Sequence, residues 1–399
     1  MKKCFFGAIA VLALASCSNE KVVELSQDQE IKFTVEAGKA TSRALDGYCN
    51  NAKPTEFNVW ASAQSKNYFA NEAYKDNGSG TYVQKDDILR YWPESGNVSF
   101  FATKNENGTA VWTYATPSLG FTGYTVESTP ATQKDFIYAA ALNVAKPAAS
   151  VADKDVKLNF RHALSQIEFK AMNKNPKIYV EIDKVTVKNV KNTGDFSIAA
   201  STTNNFENHN LGDAADNDTR TGRCTWENQS GQASYETATL TSKSGENTLN
   251  YIAVPYNETT STSLTVTDAS GEYNTNTMYL LPQTLTPWDK QAAATTQNNS
   301  YFLVKARIYN VAGSEVNKTN DVVVWGTDNG GTWETKEIAI PVPAVTWEDG
   351  KRYVYTFVFT TDGNGGYDPD DNTPVLTPIT LEVTVDDFVD AGNKDVPME

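Results

Sequence analysis

Histidine and cysteine are scarce in this 399-residue chain, which holds 2 His and 4 Cys. So few imidazoles leave no material for a His-rich metal centre, and a His-dependent triad has no motif to stand on. No H-E-x-x-H, G-x-S-x-G, P-loop or C-x-x-C pattern occurs. His162 lies inside the strand-like run Phe160-Arg161-His162-Ala163-Leu164-Ser165, where a hydrogen-bonded structural imidazole is expected. Cys4 falls in an N-terminal leader and Cys17 closes it, so Cys49 and Cys224 are the only thiols of the folded part. Two thiols form at most one bridge, which excludes a disulfide scaffold, and the spacing leaves open whether they pair. Basic residues are also short, with 34 Lys and Arg against 49 Asp and Glu and a formal net charge of -15. That balance excludes the electrostatic footprint of a nucleic-acid protein. The helical period of 3.6 is nearly invisible.

What is present begins with the leader. Lys2 and Lys3 supply a charged start and Phe5 to Ala15 an apolar stretch. This stretch has the length of a signal-peptide core and falls short of the roughly 20 residues of a membrane span. Leu14-Ala15-Ser16-Cys17 has the form that bacterial lipoprotein signal peptidase reads. The expectation is a signal peptide over 1–17, with the Cys17 thiol accepting diacylglycerol and tying the chain to outer-membrane lipid. Residues 18 to 29 are polar and charged, as a tether would be.

From Ile31 onward the sequence reads as β. Period-two alternation recurs in Ile31 to Ala37, Phe57 to Ala61, Val98 to Ala102 and Val156 to Phe160. Further strand-like runs follow from Ala163 to Phe169, Ile178 to Val187, Tyr301 to Ile308, Tyr353 to Phe359 and Ile379 to Val385. Clusters of Asn, Gly, Asp, Thr and Ser between them suit hairpin turns, among them the oxygen-rich loop Asp362 to Asp371. Many short strands without alternating helices mean an all-β fold of antiparallel sandwiches. Asn173-Lys174-Asn175-Pro176 interrupts two strand runs and marks an expected boundary between an N-terminal sandwich, 44–173, and a C-terminal one, 174–399. Trp60 and Trp92 stand in strand-like or turn contexts where core packing is expected before sugar stacking.

Several segments in order resemble the fimbrillin family of Bacteroidetes, lipoprotein subunits of type V pili. They are Phe57-Asn58-Val59-Trp60-Ala61, Tyr91-Trp92-Pro93 with Ser99-Phe100-Phe101-Ala102, Asp135-Phe136-Ile137-Tyr138-Ala139, Leu158 to Ser165, Leu281-Pro282-Gln283, and Trp347 to Tyr355. The resemblance implies two transthyretin-like β-sandwich domains in tandem, no catalysis and no cofactor. It also implies a route of lipidation, export, trimming by an arginine-specific protease and polymerisation with other pilin subunits by strand exchange. Arg43, in Lys39-Ala40-Thr41-Ser42-Arg43-Ala44, is the matching cleavage residue, so residues 18–43 would leave and the mature chain would begin at Ala44.

The consequence of that cut follows from side-chain patterning. Ile31, Phe33, Val35 and Ala37 share one strand face, and their removal would uncover an apolar groove with unpaired backbone edges. Ile379, Leu381, Val383 and Val385 repeat the pattern near the C-terminus, so a neighbour's copy of this segment could fill the groove as a donor strand. The same segment could equally be the last strand of its own sandwich. The expected role is a pilus subunit at the cell surface supporting adhesion to a host or bacterial receptor. A surface glycan-binding lipoprotein is the alternative, and stalk, anchor and tip positions stay open.

Overall fold

The computed structural model describes residues 25–35, 54–152, 154–158, 160–199, 224–244, 247–264, 276–312, 316–362, 366–375 and 379–387. It is an all-β molecule. Among the described residues, helical geometry is confined to two short 3-10 turns, Pro130–Thr132 and Ala294–Thr296.

An eight-stranded sheet dominates the N-terminal half. Its spatial order is Val156–Leu158, Phe33–Val35, Thr81–Gln84, Lys66–Asp76, Glu56–Ala63, Val98–Lys104, Ile137–Val144 and Arg161–His162. Alternation along its central strands serves two faces at once. Val59, Phe100 and Ala139 join one core, while their neighbours Trp60, Phe101 and Tyr138 join another. Burial on both faces is why Val59-Trp60-Ala61 and Phe100-Phe101-Ala102 read as unbroken apolar runs. The first core is enclosed by the curl of the sheet itself, which brings Ile137 and Ala141 of one end together with Val156 and Leu158 of the other.

The second face is covered by a four-stranded sheet ordered Thr225–Ser230, Thr193–Ala199, Ser118–Thr125, Thr109–Thr113. Trp60 meets Phe121 with ring centroids 5.8 Å apart, and Tyr138 meets Phe196 at 5.5 Å. Strands from either side of residue 173 pair here, so the core continues across the expected boundary.

Two further sheets face each other in the C-terminal half. One runs Thr262–Ser263, Ser165–Asn173, Lys351–Phe359, Ile379–Asp387, and the other is built on Ile178–Val190 and Tyr301–Asn310. Phe302 of the second sheet fills the space between Phe169, Tyr355 and Phe357 of the first, at 5.7, 4.8 and 5.6 Å. The Ser165–Asn173 strand, assigned by sequence to the N-terminal sandwich, pairs along its length with Lys351–Phe359. His162 thus ends the eight-stranded sheet and Ser165 begins this one, while Thr193–Ala199 returns to pair with Ser118–Thr125. The Asn-rich segment from Asn173 to Pro176 is a connection within the C-terminal half, where Asn173 Oδ1 and Asn175 Oδ1 accept hydrogen bonds from the backbone N–H two residues on.

The sheets are largely antiparallel, as expected, with two parallel ladders among the described residues. The two are Ser165–Asn173 with Lys351–Phe359 and Phe33–Val35 with Val156–Leu158. Period-two patterning is the same for both strand directions, so it carries no information about which one a pair adopts.

Candidate functional site

The N-terminal strand sits in the interior of its sheet, not at an edge. Phe33 is opposite Val156 on the parallel side and Tyr82 on the antiparallel side, with Thr34 between Lys157 and Thr81. Ile31 N–H donates to Arg90 O at 2.6 Å, and Val156 N–H donates to Lys32 O at 2.8 Å. Ile31, Phe33 and Val35 are buried, at 1%, 0% and 2% exposure. Phe33 is the hub of an aromatic cluster, with ring centroids 4.7 Å from Tyr74, 5.3 Å from Phe100 and 6.2 Å from Phe57. Burying these three side chains contributes about 5 to 9 kcal/mol, at roughly 1.5 to 3 for each. Removing the segment would open a slot two ladders wide.

The segment is longer than the alternation suggests. Leu25–Glu30 forms a strand against Tyr91–Pro93, where the sequence reading has a polar tether. Backbone pairing needs no apolar side chains, which is why LSQDQE carries no strand signal. Ile31 and Lys32 then connect the two short strands, and Ala37 lies outside the described residues.

Polar groups at this end weaken the hold. Gln29 Nε2, Tyr74 Oη and Trp92 Nε1 are buried without a hydrogen-bond partner among the described residues. Each such group forfeits about 1 to 3 kcal/mol of desolvation. Burial pushes the Tyr68 phenol up to about 12, with Arg90 opposing, and raises that of Tyr74 well above its ordinary value. Both phenols are neutral at any physiological pH, and the charged groups at this end include Glu30, Lys32 and the Arg90–Glu72 pair, whose guanidinium Nε donates to the carboxylate at 3.0 Å.

The C-terminal candidate strand occupies a different position. Ile379–Asp387 lies antiparallel to Lys351–Phe359 at the rim of its sheet, with Ile379 opposite Phe359, Leu381 opposite Phe357, Val383 opposite Tyr355 and Val385 opposite Tyr353. Ile379 is fully buried against Gly366, where a Cβ would come within 2.9 Å of Ile379 Cδ1. Leu381, Val383 and Val385 are only half-buried on the main core. In this state the segment is the last strand of its own sandwich. Among the described residues it is paired on one side only, and its apolar face is incompletely covered. The two segments, Phe33–Val35 and Ile379–Asp387, belong to separate sheets, and Cys17, Arg43 and Ala44 lie outside the described residues.

The other residues singled out from sequence are structural. His162 Nδ1 contacts the carboxylate of the fully buried Asp135, at the end of the ladder where His162 pairs with Ile137. Asp368 in the acidic loop is held by Lys336 and accepts from the backbone N–H of Asp370. Trp60, Trp92, Trp288 and Trp347 are buried, Trp112, Trp226 and Trp325 are half-buried, and Trp333 alone is exposed, at 38%. Cys224 is buried and its backbone N–H donates to Tyr138 Oη at 2.9 Å; Cys49 lies outside the described residues. No helix among the described residues is long and apolar enough to cross a membrane.

No curated protein matches the sequence. A fimbrial protein from Bacteroides vulgatus has a similar structure, with a TM-score of 0.51 at 14% identity over 83% of this chain and 92% of that one. Similar too are putative cell adhesion proteins from Parabacteroides distasonis, with a TM-score of 0.45 at 10% identity over 92% of this chain and 100% of that one, and from Bacteroides uniformis, with 0.42 at 11% over 91% and 99%. The first of these shows a shared all-β fold. The family model for fimbrillin-like proteins matches residues 42–387, a span that begins beside Arg43 and ends with the last described strand. The chain belongs to the fimbrillin-like family, whose members are structural subunits of surface fimbriae and not enzymes.

Proposed function

We propose that this chain is a pilin that polymerises at the cell surface when an arginine-specific protease cuts after Arg43 and a neighbour's C-terminal strand replaces the segment lost. The observation that carries the reading is the interior position of Phe33–Val35. A strand with ladder partners on both sides and three buried apolar side chains leaves a deep, doubly edged slot when it departs. Exposed ladders of that kind take up another strand by β-augmentation. Ile379–Asp387, paired on one side only among the described residues and carrying a one-face apolar pattern, is the donor in this reading. Each subunit is then donor and acceptor, and head-to-tail contacts of this type extend into a filament.

Before the cut, the chain is a precursor held by lipid at Cys17. Its own residues 25–35 fill the slot and block premature assembly. The glycan-binding alternative loses its aromatic platform, since seven of the eight Trp side chains pack wholly or partly inside. The test is to expose purified precursor to an arginine-specific protease and follow high-mass ladders on gels. Wild type is expected to ladder and Arg43→Ala to stay monomeric. Ladders from the uncut variant would exclude protease-triggered assembly.

A further inference from the structure

Resting on that reading, we propose that the neighbour's strand enters in one direction and one register, with Ile379, Leu381 and Val383 in the seats of Ile31, Phe33 and Val35. The two segments, Ile31-Lys32-Phe33-Thr34-Val35 and Ile379-Thr380-Leu381-Glu382-Val383, then coincide at both outer seats, Ile on Ile and Val on Val. Leu381 takes the central seat among Phe57, Tyr74 and Phe100, which is the largest of the three. Shifting the donor by two residues in either direction puts Ile379 or Val383 in that seat; both are β-branched and stiffer at χ1 than Leu, and Val is also smaller.

Charge on the outer face selects the direction. In the proposed orientation Glu382 stands where Thr34 now stands, directly beside the exposed Lys157 on the parallel ladder. Reversing the strand about Leu381 moves Glu382 to the place of Lys32. Lys32 O accepts from Val156 N–H there, so the residue alongside is Asp155, whose carboxylate accepts from Thr81 Oγ1 at 3.1 Å. Opposite charges across a strand pair are favourable and like charges are not. Lys157 and Asp155, adjacent in the chain, thus read the direction of the incoming strand. The donor also repeats the hydrogen-bonding pattern of the strand it replaces, parallel to Val156–Leu158 and antiparallel to Thr81–Gln84.

Cysteine cross-linking decides the register. In a precursor carrying Cys49→Ser and Cys224→Ala, Lys157→Cys is combined in turn with Thr380→Cys, Glu382→Cys or Thr384→Cys. The protein is trimmed, allowed to assemble and mildly oxidised. Residues level on neighbouring strands are about 5 Å apart, while a two-residue offset opens about 8 Å. The second distance is beyond the reach of roughly 7 Å that a disulfide spans. Covalent ladders are expected from the Glu382→Cys pair at least tenfold in excess of the other two. Ladders dominated by Thr380→Cys or Thr384→Cys overturn the register, as does polymer that links through none of them. Trimmed protein that never leaves the monomer overturns the strand-exchange reading itself, which separates the two failures. Leu381→Phe restores the side chain native to the central seat and is expected to slow subunit loss from polymer about tenfold, the equivalent of about two extra buried methylenes. Unchanged or faster loss counts against that seat.

Discussion

The Phe33 ring stands edge-on to that of Tyr74, with centroids 4.7 Å apart and planes at 89°. Through this contact a residue upstream of Arg43 completes the core of a sheet whose other strands all lie downstream of it. On the proposed trimming after Arg43 this contact would be lost.

Phe33→Ala is expected to destabilise the precursor by about 3 to 5 kcal/mol, the range for emptying a buried aromatic seat. Denaturant unfolding of the uncut protein measures it. A loss below about 1 kcal/mol would mean that the segment contributes little to its own sheet.

Cys17→Ser is expected to abolish lipid labelling and membrane retention, because diacylglycerol transfer needs a thiol at that position. Metabolic labelling with a fatty acid reads the outcome. Labelling that persists in the serine variant would exclude Cys17 as the lipidated residue.

Val383→Asp is expected to fold as a precursor yet fail to assemble after trimming. In its own sheet Val383 is half-buried on a rim strand, so a carboxylate there stays near water. In the slot it would replace a residue with 2% exposure, Val35, and an unpaired buried ion is strongly disfavoured. Thr380→Lys is the control, since it installs the residue that the native strand carries at that place. Circular dichroism establishes folding and gel ladders score assembly. A folded Val383→Asp that polymerises like wild type would mean another segment is the donor.

Asp195 ties strands of the four-stranded sheet together, accepting from Gly123 N–H at 2.8 Å and Asn228 Nδ2 at 2.7 Å. These bonds, that of Asn228 first, hold its carboxyl below the ordinary value of 3.8. A depressed folded-state pKa gives stability that is complete above the unfolded value and is lost as pH falls through the folded one. The melting-temperature gap between wild type and Asp195→Asn is therefore expected to be constant at neutral pH and to shrink only below pH 3.8. A gap that grows on acidification would contradict the assignment.

Most strands were legible in the sequence, for a physical reason. Half-buried strands such as Ser165–Asn173 alternate, and doubly buried ones such as Glu56–Ala63 and Lys351–Phe359 show short apolar runs. Pairing was not legible. Ser165–Asn173 gains its partner nearly two hundred residues downstream, and nothing local in Gln166 or Phe169 specifies Arg352 or Tyr355. Leu25–Glu30 was missed because its ladder is made by backbone groups against Tyr91–Pro93. At the candidate site, the apolar seats of Ile31, Phe33 and Val35 were legible from alternation alone. The interior position that makes their removal consequential was not, since it depends on Val156–Leu158 arriving on the far side.

Strand exchange is tested most directly by a density map of assembled polymer from trimmed protein, read at the slot between Thr81–Gln84 and Val156–Leu158. Each slot is expected to hold residues 379–385 of the adjoining subunit, with the side chain of Leu381 among Phe57, Tyr74 and Phe100. A slot still occupied by the subunit's own Phe33, or left empty in the polymer, would contradict it.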